Sequence, residues 1–77
     1  MSRRLPALRP KYVLRLLQRE GFTVHHVSGS HYVLKHPNKN LRVTLPWHGR
    51  DLKRGTLTSI IQQAGYTTAE FLELLGR

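Results

Sequence analysis

The chain has no cysteine and few acids. Across 77 residues there is no cysteine, and only 4 Asp and Glu stand against 13 Lys and Arg. Without thiols there is no disulfide framework and no cysteine zinc site, which fits a reducing cytoplasm. Four scattered acids do not make a two-metal carboxylate centre. No apolar run approaches the ~20 residues that a membrane span requires. The arginines near the start have no apolar run behind them, so no secretory signal is expected. The length implies one domain, and a domain near this size buries only roughly 60% of its unfolded surface. A deep, dry, enclosed site is therefore not expected; a site should be a shallow surface feature.

What is present in excess is positive charge, formally +9. A domain this basic is suited to neutralising phosphates, so a nucleic acid is the expected partner. A membrane surface is disfavoured because no basic amphipathic helix stands out. DNA is disfavoured because no helix-turn-helix spacing leads to a basic recognition helix.

Residues 1–9 read as a flexible basic arm, with Arg3, Arg4 and Arg9 interrupted by Pro6. From Pro10 a helix is expected, with Tyr12, Val13, Leu16 and Leu17 as its apolar stripe and Gly21 as its stop. Phe22–Val27 and Ser30–His36 read as strands joined by a turn at Ser28-Gly29. Leu41–Leu45 alternates apolar and polar residues as a half-buried strand does, and Pro46 ends it. A basic loop, Trp47–Gly55, precedes a helix from Thr56 to Ala64. Thr67-Thr68-Ala69-Glu70 matches a capping box opening a last short helix. The fold class is therefore α+β. A three-stranded antiparallel meander carries helices on one face and leaves the other open.

The five histidines are the available acid–base groups near neutral pH. His31 leads a strand and follows a glycine turn, so it is held still and remains accessible. Strand alternation puts His25 and His26 on opposite faces, and likewise His31 and His36. A shared zinc site would then need ligands from several strands, so no metal is expected. His25 and His26 read as solvent or edge residues, and His36, before Pro37, as a turn-packing one. Basic groups at Lys35, Arg42, Arg50, Lys53 and Arg54 would position an RNA backbone, with Ser30 beside the histidine. His48 is a further candidate for phosphate contact and Trp47 for base stacking. At Lys53-Arg54-Gly55-Thr56 two readings stand side by side. Free N–H groups at the helix start hold a phosphate, or Thr56 simply caps the helix.

Several of these segments resemble the HicA (YcfA-like) toxin family of prokaryotic toxin–antitoxin systems. The similarity rests on Glu20-Gly21-Phe22, Gly29-Ser30-His31, His36-Pro37, Val43-Thr44-Leu45-Pro46, Leu52–Leu57 and Ile60–Gly65, in that order. It covers about Pro10 to Leu75. The resemblance implies a double-stranded-RNA-binding-domain-like fold and an mRNA interferase without cofactor. The family's catalytic histidine, in a Gly-Ser-His motif, falls on His31. A HicB-like antitoxin covering the His31 surface is the implied partner. A non-catalytic RNA-binding module of the same shape is the rival reading.

Overall fold

A computed structural model describes residues 4–77; Met1–Arg3, including the first arginine of the arm, lie outside the described residues. The element order is α1 (Pro10–Arg19), β1 (Thr23–Ser28), β2 (His31–Lys35), β3 (Arg42–Pro46), α2 (Arg54–Gln63) and α3 (Thr68–Leu75). The strands form one antiparallel sheet in the order β1-β2-β3. This is the α-β-β-β-α architecture expected, with α3 appended.

α1 begins on proline, whose fixed φ suits the first helical position. Val13, Leu16 and Leu17 are buried as expected. Tyr12 is not: it is 47% exposed, with Lys11 and Arg15 against its ring. The buried arc is completed by Pro10 instead. The helix closes on Gly21 at φ +98°, with Phe22 N–H donating to the Leu17 carbonyl and Gly21 N–H to that of Gln18. These two bonds make a Schellman motif and turn the chain toward β1.

Gly21 is required twice over. Its φ is one that L side chains rarely adopt, and a Cβ there would meet His36 Nε2 at 2.7 Å. Gly21→Ala should therefore cost more than about 1 kcal/mol. A urea denaturation midpoint equal to wild type would refute the steric argument.

The first hairpin has a two-residue turn, Gly29-Ser30, closed by the pair Ser28 and His31. Gly29 takes φ +57° and no non-glycine residue among those described has positive φ, the pattern of a type II′ turn. The turn is thus tight and sits one residue later than the sequence suggests.

One sheet face is the core. Leu34, Val43 and Leu45 join Val13, Leu17, Phe22, Leu57, Ile60, Ile61 and Phe71 in a single apolar cluster. Both α1 and α2 contact β3. β1 extends past this cover, and Val24 and Val27, whose partners Leu34 and Tyr32 are on the core side, are exposed. On the outer edge of the sheet, Gln63 Oε1 accepts the free N–H of Thr44 at 2.9 Å.

The arm is fastened rather than loose over its described part. Leu5 and Leu8 pack against the core, and the Leu8 carbonyl accepts from Leu52 N–H at 2.7 Å. α2 starts at Arg54, so Thr56 lies inside its first turn. Lys53 is the N-cap, without a side-chain cap bond. That removes the reading in which Thr56 caps the helix. The capping box of α3 is present, with Thr67 and Glu70 bonding reciprocally. Accepting the Thr67 N–H holds the Glu70 carboxyl below its usual range.

Candidate active site

The β2 register decides what the open face displays. Tyr32 and Leu34 pair with Leu45 and Val43 on the core side, so His31, Val33 and Lys35 face the other way. On β3 their partners are Pro46, Thr44 and Arg42; on β1, His31 and Val33 face Ser28 and His26. His31 is exposed at the end of β2 beside the turn, and its position is set by pairing on both sides. The neighbouring Ser30 carbonyl accepts from Trp47 N–H at 2.7 Å, which ties the start of the basic loop to the turn.

Lys35 and Arg42 stand directly opposite each other at the far end of this face, both exposed. Like charges in that relation are destabilising. None of the three strands contains an acid to offset them. An anion laid across the face would relieve the repulsion.

β1 departs from the expected alternation. Its register shifts between Val24 and His26, leaving His25 as the extra residue of a bulge. Placing His25 and His26 on opposite faces is therefore incorrect. Their Nδ1 atoms lie 2.7 Å apart, and the rings meet edge to face. Lys35 above all, then desolvation, His26 and Arg42, push the His25 pKa below its ordinary value. Those partners belong to the open face. The pairing of Val24 and Val27 carries the mark of the bulge. Both lie on the core side of the sheet although they are three residues apart, which a regular two-residue repeat does not permit.

His36 is structural. Its Nδ1 accepts from Asn38 N–H at 3.1 Å, and its Nε2 donates to the Glu20 carbonyl at 3.0 Å. Its ring also stands edge-on to Phe22. Both nitrogens are occupied, and the ring pins the second hairpin to the end of α1.

The remaining candidates form two other groups. Trp47 and His48 line a shallow cleft with Arg9, Lys11 and Gly49. Trp47 is half-buried, and Tyr32 stacks on one of its faces at 4.2 Å, so that face is closed to a base. His48 is exposed, and its Nδ1 accepts from Arg50 N–H at 3.2 Å, which folds the loop back on itself. Arg54 belongs to a separate cleft lined by Leu5–Ala7, Leu52 and Leu57, at the same helix start as Lys53 and Thr56. The structure therefore brings Ser30, His31, Lys35 and Arg42 onto or beside one face and distributes the others around it.

An open, acid-free antiparallel sheet, backed by helices and displaying an exposed histidine with two bases, defines the class: a small α+β domain with a basic open face. A sequence profile described as "HicA toxin of bacterial toxin-antitoxin" matches residues 10–66, and the chain belongs to this family. It is thus a toxin of a toxin–antitoxin system, and an antitoxin is its class of partner. No curated protein matches the chain significantly. Among the described residues, no helix is long and apolar enough to cross a membrane.

Proposed function

We propose that this toxin is an endoribonuclease that cleaves mRNA in the cytoplasm and so blocks translation, with His31 as a proton-transfer group. The observation carrying this reading is the position of His31. It is exposed at a rigid strand start, on the same acid-free sheet face as Lys35 and Arg42. RNA brings its own nucleophile, the 2′-hydroxyl beside each phosphodiester. Cleavage then needs a group to move a proton and positive charge to offset what builds on the phosphate. Imidazole supplies the first; Lys35 and Arg42, toward the far end of the same face, supply positive charge along the bound backbone. Membership of a toxin family supports a lethal activity over a passive binding role.

Further RNA contacts are assigned to Ser30, to Trp47, His48 and Arg50 of the loop, and to Lys53, Arg54 and Thr56 at the head of α2. The antitoxin is of HicB type and covers the His31 face. No cofactor and no metal take part.

The test is incubation of the pure protein with end-labelled RNA in excess EDTA. Fragments ending in a 2′,3′-cyclic phosphate are expected, because the 2′-oxygen is the attacking atom. RNA that is bound in a salt-sensitive manner but stays intact would instead identify a binding module.

A further inference from the structure

A single imidazole can take the 2′-hydroxyl proton or protonate the departing 5′-oxygen, but it cannot do both at the same instant. The β1 bulge supplies a second imidazole. His26 pairs with Val33, two residues along from the pair Ser28 and His31, so His26 and His31 are diagonal neighbours across two strands. Such neighbours stand ~7–8 Å apart at Cα. That spacing admits one phosphate group with a ring on either side. We propose that His26, oriented by His25, is the general base of the site and His31 the general acid. This rests on the ribonuclease reading above.

The hydrogen bond within the pair sets its chemistry. In a neutral imidazole one nitrogen donates and the other accepts. If His26 donates Nδ1–H to His25 Nδ1 across the observed 2.7 Å, its Nε2 is left as a free lone pair. His25 must stay uncharged to accept that bond. The groups facing the pair are Lys35 and His31 of β2 and Arg42 of β3, and Lys35 and Arg42 both disfavour a charged His25. His25 therefore acts as a positioning residue, as the third member of a nucleophile–base–orienter triad does.

In the step itself, His26 Nε2 takes the proton of the 2′-hydroxyl. The 2′-oxygen forms its bond to phosphorus as the bond to the 5′-oxygen breaks. The His31 imidazolium gives its proton to that oxygen. The products are a 2′,3′-cyclic phosphate and a 5′-hydroxyl, with one proton moved from His31 to His26.

The experiment compares wild type, His26→Gln and His31→Ala on two RNAs. One has the ordinary linkage; in the other, sulfur replaces the bridging 5′-oxygen, so the leaving thiolate needs no proton. On ordinary RNA, His26→Gln should lower the rate by about 10²-fold and lose the acidic limb of the pH profile. On the sulfur substrate His31→Ala should regain most of its rate and His26→Gln should not. Both side chains are exposed, so both variants should melt as wild type does. If His26→Gln cleaves ordinary RNA at the wild-type rate, or if sulfur rescues it, this assignment of roles is wrong and the ribonuclease reading stands. If wild type leaves both RNAs intact, the ribonuclease reading falls and this inference with it.

Discussion

Replacing His31 with alanine should lower RNA cleavage by about 10²–10⁴-fold, the range that positioned acid–base groups supply. The change should fall on the catalytic rate and leave RNA affinity in place. Affinity comes from neutralising phosphates, and Lys35 and Arg42 are untouched by the substitution. Stability should also hold, because the His31 side chain is exposed and its backbone pairing with Ser28 and Pro46 does not depend on it. Single-turnover cleavage, RNA titration and a thermal melt on the same preparation separate these quantities. Growth arrest on expression should disappear in parallel. A variant that cleaves at the wild-type rate removes His31 from the chemistry. One that loses binding instead makes it a phosphate contact.

The second large effect is structural. Phe71→Ala should cost about 3–5 kcal/mol, the usual range for emptying a buried aromatic site. Phe71 is fully buried in the same cluster as Leu34, Val43 and Leu45, although α3 lies beyond residues 10–66 that match the family. Small domains have only 5–15 kcal/mol of stability in all, so the loss is a large fraction of the total. It lifts support from beneath the open face without touching any residue on it. Urea denaturation measures it directly. A loss below about 1 kcal/mol, the average for an ordinary substitution, would mean that α3 is an ornament. Residual activity of the variant should scale with its folded fraction, unlike that of His31→Ala.

These two residues also mark what the sequence makes legible. Element order follows from local signals that tertiary packing reinforces. Glycine stops α1 and α2, alternation marks β3, and Thr67 with Glu70 forms the box that opens α3. His31 is legible for the same reason, since a tight turn and a strand start fix it locally. What depends on neighbours distant in the chain is not legible. A helical stripe gives an arc, but which residue at its margin is covered depends on what packs there, and Tyr12 is left in water. Trp47 reads as a free loop aromatic until Tyr32 is found stacked on it. The start of α2 shifts to Arg54 because the Lys53 backbone caps it without help from a side chain. The bulge is the most consequential case. One extra residue in β1 changes which face two histidines occupy, and only pairing with β2 reveals it.

That extra residue has another effect, on how the molecule behaves among copies of itself. β1 is an edge strand, wholly exposed, and its two valines project beyond the helices. A flat apolar edge of this kind is a template on which other chains add strands and aggregate. The bulge interrupts its hydrogen-bonding row and increases the local twist. The irregularity in β1 thus also works against polymerisation along this exposed edge.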